Sequence, residues 1–423
     1  MCSLGGTVDP GIVTFADEIP RALASYCLRH DIARATVVAD ANTYRILGRD
    51  VTSALSEHGI TASAVILGNR LIADERAVMS VLCDVDTDAD ALVSVGSGTV
   101  TDITRFASHR MAKRFLVVPT APSIDGYASK HARLVLKGFK EAVRCHVPER
   151  IFASIPLLSA APRSMIAAGV ADIVGRTTAL ADWRLAQLMH GRESGPAAIA
   201  DPNDTFHMLC DHSVQLARSD PNAVGMLFNA LASTTDSTGI GSGDSPVSGC
   251  EHHISYFIEM YQLRHNRPPV LQGFRVALGT IIASQWYRNL RSWKQDDIRR
   301  LEVELPDYDE DIRQIMHALG EGGEILLDRN SFISTLSRTG IESMRSRLVA
   351  RWNEVQEIAG LVPEPSVLMK LFRAIGAPTR PDDIGLTRIE LDQAARLSHY
   401  MGGQVTVKTL HFVLGIPAPL PAL

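Results

Sequence analysis

Four short stretches carry residue types that do chemistry. The first, Val93-Ser94-Val95-Gly96-Ser97-Gly98-Thr99-Val100-Thr101-Asp102, reads as a strand, a tight glycine turn and the start of a helix. Gly96 and Gly98 let the backbone turn sharply and leave room for a pyrophosphate, whose charge suits the free N–H groups that open a helix. A G-x-G on its own also occurs in ordinary βα turns. The second stretch, Thr120 to Ser129, starts at a strand end and collects the hydroxyls of Thr120 and Ser123, the carboxylate of Asp125 and Ser129. The carboxyl ends of parallel strands are where α/β sheets take ligands, though proline- and serine-rich runs also make plain loops.

The third stretch, Ala168-Gly169-Val170-Ala171-Asp172, sets an acid inside an apolar helical run, where burial requires a partner or a metal. Asp182-Trp183 follows. The fourth, Ser248-Gly249-Cys250-Glu251-His252-His253-Ile254-Ser255-Tyr256, is a glycine turn opening a helix, with 252 and 256 on one face. Taken singly, His252 reads as a hydrogen-bonded surface or core histidine.

The elements that must hold these residues follow from the apolar pattern. Ala35–Ala39, Ala64–Leu67, Ala91–Val95 and Phe115–Val118 are short continuous apolar runs separated by helical stretches such as Tyr44 to His58. Strands buried on both faces of a parallel sheet have that appearance. From about Ala160 helical patterns dominate: Arg163 to His190, Ala223 to Ser233, Glu251 to Gln262 and Arg275 to Leu290. The expected fold is α/β, a Rossmann-like parallel-sheet domain over residues 1–160 followed by an all-helical domain over 161–423, with a ligand cleft between them. The tail Gly415 to Pro421, with three prolines, reads as an extended terminus.

Composition narrows the function classes. Of 423 residues, 46% are hydrophobic and 21% charged, the balance of a packed globular protein. Lys plus Arg total 42 against 47 for Asp plus Glu, a formal charge of −5 without a dense basic run, which argues against nucleic acid as a partner. The six cysteines are scattered with no C-x-x-C pair, as expected for reduced thiols in the cytoplasm. The opening Met1-Cys2-Ser3-Leu4-Gly5-Gly6 lacks a basic segment followed by an apolar one, and no apolar run reaches the roughly 20 residues a bilayer requires, so neither export nor membrane insertion is expected.

Together the runs G-S-G-T-V-T-D, P-T-A-P-S-I-D-G-Y-A-S, A-G-V-A-D with D-W, and S-G-x-E-H-H-I-S closely resemble the bacterial sn-glycerol-1-phosphate dehydrogenases of the iron-containing alcohol dehydrogenase and dehydroquinate synthase superfamily. Their order and spacing match from about Val37 to Gly279. The resemblance implies an NAD(P)-dependent dehydrogenase acting on CH–OH groups, interconverting a small phosphorylated ketone and its alcohol, with dihydroxyacetone phosphate and glycerol 1-phosphate as reference pair. It implies NAD(H) or NADP(H) as cofactor, held at Gly98, Thr99, Val100, Thr101 and Asp102 for the pyrophosphate and at Thr120, Ser123 and Ser129 toward the nicotinamide. Asp40, ending an early strand, matches the adenosine-ribose contact. Asp125 matches the substrate-hydroxyl contact, and Asp172 and His252 match ligands of a divalent metal, zinc or nickel. A homodimer or larger homo-oligomer is also implied.

Two imidazoles of that pattern are replaced. Gln272 stands at the third metal-ligand position, in Leu271-Gln272-Gly273, and Tyr256 stands where the family has a substrate-contacting histidine. An amide oxygen is a weaker donor to zinc or nickel than imidazole. Arg275 reads either as a cation serving a phosphate or the metal position, or as a solvated helix charge. The stretch Gly402-Gly403-Gln404-Val405-Thr406 lacks the Arg-aromatic-Thr pattern of relatives. These departures keep two alternatives open: a non-redox lyase or cyclase using bound NAD on a sugar phosphate, and a catalytically silent homologue.

Overall fold

The computed structural model describes residues 12–68, 71–191, 201–233, 247–302, 307–329, 337–403 and 405–421. Cys2, the opening segment Met1 to Gly6, and Gln404 lie outside them. The chain divides into two compact units, Met1–Val170 with Val214–Asp236, and Ala171–Ser213 with Ser237–Leu423.

The first unit is built on a six-stranded sheet. Its strands are β1 (Val13–Phe15), β2 (Arg34–Asp40), β3 (Thr61–Leu67), β4 (Ala91–Gly96), β5 (Arg114–Pro119) and β8 (Arg150–Ala153), in the order β1-β8-β5-β4-β2-β3 and all parallel. The four strands read from continuous apolar runs are present. Core residues alternate along them: Val37, Ala39, Val93 and Val95 pack on one face of the sheet, Val38 and Leu92 on the other. Helices α1 (Ile19–Arg29) and α3 (Arg49–Glu57) cover the first face, and α4 (Glu75–Asp84) and α5 (Gly98–Arg110) the second. The short α2 (Ala41–Thr43) runs through a π-helical turn, Tyr44–Gly48, into α3.

Between β5 and β8 a hairpin is inserted, β6 (His131–Leu136) and β7 (Phe139–Arg144), which pair with Leu136 opposite Phe139. Lys137 and Gly138 at its tip have φ of 52° and 76°, the left-handed conformation that matches strand twist in a two-residue loop. The helices α6 (Ile155–Ser159) and α11 (Pro221–Ala232) pack together, and Phe228 of α11 meets the rings of Phe15 and Tyr127 at 6.1 and 5.9 Å. That packing ties residues after 213 back to the sheet unit.

The long helical run after Arg163 is broken. It forms α7 (Arg163–Val174) and α8 (Arg176–Met189), with Gly175 between them. The helices α9 (Pro202–Asp211) and α10 (Ser213–Ala217) follow α8, and α12 (Cys250–Arg264) and α13 (Gln272–Arg291) pack against each other within the second unit. The proline-rich tail is extended but anchored: Trp286 Nε1 donates to the Pro419 carbonyl at 3.1 Å and Asn289 Nδ2 to that of Pro417 at 2.7 Å. The five cysteines among the described residues, Cys27, Cys83, Cys145, Cys210 and Cys250, are free. No helix among those residues is long and apolar enough to cross a membrane.

Candidate active site

The connections from β2 and from β4 leave in opposite directions across the sheet, so the crevice at the carboxyl ends of these neighbours is a topological switch point. Three of the sequence-derived segments end there. Asp40 closes β2, Gly96 to Gly98 close β4, and Thr120 follows β5, whose Pro119 lies opposite Gly96. A Cβ on Gly98 would sit 2.4 Å from Ile124 Cδ1, and one on Gly96 would sit 2.7 Å from Val100 Cβ, so a side chain at either position would require its neighbour to shift. The cradle is therefore mostly main chain, with the N-terminal N–H groups of α5 at its base, including those of Thr99 and Val100. Asp40 Oδ1 accepts from the N–H groups of Asn42 and Thr43 at 2.8 and 2.9 Å, which caps α2 and fixes the carboxylate.

The hydroxyl of Thr101 donates to the Ser97 carbonyl at 3.0 Å. Asp102, placed with the pyrophosphate turn by resemblance, turns its buried carboxylate to Arg105, whose Nη1 donates to it at 2.8 Å. Burial raises the Asp102 carboxyl above its usual range, against the Arg105 guanidinium. Arg105 is itself fully buried and donates further to the carbonyls of Gly126, Tyr127 and His131 at 2.7, 2.9 and 2.9 Å. It fastens the Thr120–Ser129 loop to α5, a role the sequence reading missed because its acceptors are carbonyls. Within the loop, Asp125 is buried beside Arg133 at 3.7 Å, Ser123 Oγ lies 3.5 Å from the Tyr127 hydroxyl, and Ser129 Oγ accepts from the His131 N–H at 3.0 Å.

In the second unit, residues 172, 252, 256 and 272 are brought together from three helices. Asp172 of α7 and His252 of α12 are fully buried, with His252 Nε2 3.7 Å from Asp172 Oδ1. Gln272, first residue of α13, directs its amide Nε2 at both Asp172 oxygens, at 3.0 and 3.3 Å. Tyr256, one turn after His252 and half-buried, meets the imidazole edge-on at 5.8 Å between ring centres. Arg275 is neither solvated nor turned to the centre: it is buried, with Nη2 on Glu259 at 2.7 Å and Nη1 on the Val270 carbonyl.

Two buried acids stand behind this centre. Glu251 contacts His252 Nδ1 at 2.8 Å. Burial would raise its carboxyl, but hydrogen bonds from His252, Thr178 and the Gly249 N–H hold it below the usual range. Asp182 accepts from the N–H groups of Cys250 and Val407, each at 2.7 Å, and from the Tyr287 hydroxyl at 2.6 Å. It thus caps α12 and the helix Val407–Leu414 and ties both to α13. Burial, with the nearby Glu251 charge, pushes Asp182 up to about 8. Among the described residues no cluster of three His, Cys, Asp or Glu side chains is placed to hold a metal, because an amide completes the Asp172–His252 pair.

Residues 14–162 match the model of a family described as iron-containing alcohol dehydrogenase. The fold is that of the solved NADH-dependent butanol dehydrogenase A from Thermotoga maritima, at a TM-score of 0.61 and 11% identity over 96% of each chain. That likeness is one of fold, and the family comes from sequence. The chain is 33% identical over 320 residues to a glycerol-1-phosphate dehydrogenase (NAD(P)+) from Bacillus subtilis, covering 75% of this chain and 80% of that one. A counterpart from Geobacillus thermodenitrificans is 28% identical over 391 residues, 92% of this chain and 88% of the relative. The chain belongs to the glycerol-1-phosphate dehydrogenase family, as the motifs led us to expect.

Proposed function

We propose that this chain is an NAD(P)-dependent oxidoreductase that interconverts dihydroxyacetone phosphate and sn-glycerol 1-phosphate. The observation that carries the reading is a glycine cradle at the switch point of the sheet combined, in the same chain, with a fully buried Asp172–His252 pair. The names of the relatives support it.

The residues present fit both groups that the family implies. The N–H groups that open α5 after the Gly96–Gly98 turn suit the charge of a pyrophosphate. A carboxylate and an imidazole, both buried and facing each other, suit a divalent cation, and Gln272 offers its amide oxygen once the amide turns over. Asp172, His252 and Gln272 would hold that ion. When bound, the nicotinamide supplies hydride and the ion polarises the substrate carbonyl.

The chain's own groups do the rest. The N–H groups at the start of α5 bind the pyrophosphate, Arg105 holds the loop that carries Thr120, Ser123 and Ser129 toward the nicotinamide, and Asp40 takes the ribose hydroxyls with the oxygen not used in capping. Asp125 accepts from a substrate hydroxyl. Tyr256 donates a hydrogen bond to a substrate oxygen, and a phenol exchanges protons at neutral pH far less readily than the histidine it replaces. The enzyme is expected to act in the cytoplasm as a homodimer or larger homo-oligomer.

The test is to mix purified protein with NADH or NADPH and dihydroxyacetone phosphate, with and without nickel or zinc, and to follow absorbance of the reduced cofactor. Consumption that depends on added metal is the expected result. No turnover with either cofactor under either metal removes the reading.

A further inference from the structure

Glu251 is a charged residue that the proposed chemistry does not use, yet it is buried and hydrogen-bonded through both oxygens. It lies fully buried on the first turn of α12. Oε1 accepts from the Gly249 N–H at 2.7 Å and from His252 Nδ1 at 2.8 Å, and Oε2 accepts from the Thr178 hydroxyl at 2.7 Å. Its main chain is approached closely by α13 at Gly279, where a Cβ would lie 2.4 Å from the Glu251 carbonyl oxygen.

Oε1 already accepts the Gly249 N–H and Oε2 the Thr178 hydroxyl, so the carboxylate acts as an acceptor through both oxygens and the ring nitrogen facing Oε1 carries the hydrogen. The other nitrogen, Nε2, then presents its lone pair, and it is Nε2 that faces Asp172. In the opposite tautomer an N–H would point at the place a cation must take. Carboxylates commonly fix metal-binding imidazoles in this way.

We infer that Glu251 is a positioning residue that locks His252 in its Nδ1–H form, directing the Nε2 lone pair at Asp172, while Thr178 and the Gly249 N–H hold the carboxylate in place. The inference rests on the reading of Asp172 and His252 as cation ligands.

Two measurements on the full chain test it: ring-nitrogen NMR of histidine-labelled protein, with His252 assigned through His252→Asn, and calorimetric titration with zinc. The wild type should show a protonated Nδ1. Glu251→Gln keeps an acceptor but removes the charge, and should retain Nδ1–H while weakening zinc about tenfold; Glu251→Leu should move the proton to Nε2 and weaken zinc about a hundredfold. A residue that only stabilises the fold would lower the melting temperature in both variants without moving the ring signals. Unchanged ring signals in the leucine variant, or zinc affinity within about twofold of wild type in the glutamine variant, overturn the inference. If the leucine variant does not fold, Thr178→Val replaces it: zinc binding weakened about threefold supports the inference, and no change in either remaining variant overturns it. A wild type that takes up no zinc, while its His252 proton still moves in Glu251→Leu, supports the positioning role and counts instead against the metal reading.

Discussion

The two units make their candidate sites from different materials. In the first, the ligand surface is main chain: a glycine turn, the start of α5 and the ends of β2, β4 and β5, while the nearby charges are consumed in pairs, Asp102 with Arg105 and Asp125 with Arg133. In the second, the surface is side chain: Asp172, His252 and Gln272 converge from three helices, with Glu251 and Asp182 buried behind them. A main-chain site tolerates drift in its side chains as long as the glycines stay. A side-chain site changes chemistry with one substitution, and on the proposed reading Gln272 and Tyr256 are two such changes in the second unit.

The largest expected effect is in the second unit. Asp172→Asn removes the only carboxylate in direct contact with Gln272 among the described residues, and should lower kcat by about 10³-fold or more with the fold intact by circular dichroism. A loss of under tenfold would break the contrast, because the side chains would then not carry the chemistry. Next is Arg105→Ala in the first unit. It strips the buried Asp102 of its partner and three carbonyls of their donor, at a cost of about 3–5 kcal/mol in denaturant unfolding. Lysine should recover only part of this, since it lacks the planar fork that reaches several acceptors.

A smaller and more selective effect is expected at Gly98→Ala, whose Cβ meets the tip of Ile124. The KM for the reduced cofactor should rise about tenfold, roughly 1.4 kcal/mol, with zinc affinity unchanged. A shift in zinc affinity would mean that the two sites are not separable. The smallest effect concerns the far end of α12. Burial works to raise the Glu390 carboxyl, but hydrogen bonds from Arg267, the Thr387 N–H and the Tyr261 hydroxyl outweigh it and hold the group down at about 2. A depressed carboxyl contributes stability above its unfolded value, so this contribution, about 1 kcal/mol, should be lost as pH falls from about 4.5 toward 2. Melting curves of Glu390→Gln should show a flatter acid limb.

The same contrast explains what could be read from the sequence. Strands β2 to β5 announce themselves as continuous apolar runs, because both faces are buried. Strands β1 and β8 are 3 and 4 residues long, too short to establish a period. The hairpin went unread, although Lys137-Gly138 between two alternating runs was its signal. The glycine turn is a local feature and was legible as such. Asp172, His252 and Gln272 were gathered through a family resemblance, not through spacing, since contacts across 100 residues leave no local periodicity. The partners of Arg105 and Glu251 were missed for a related reason: carbonyls carry no residue identity, and Thr178 is 73 residues from Glu251. Arg275 was offered two roles by its position on a helix and has neither, because Glu259 claims it.

The most direct test of the proposed cofactor site in one unit and metal site in the other is a calorimetric titration of wild type and Gln272→His with nickel and, separately, with NADH. Restoring an imidazole at this position should tighten nickel binding at least about tenfold and leave NADH affinity unchanged. Equal nickel affinity in the two proteins, or a change in NADH affinity of similar size, would contradict the division of labour between the two units.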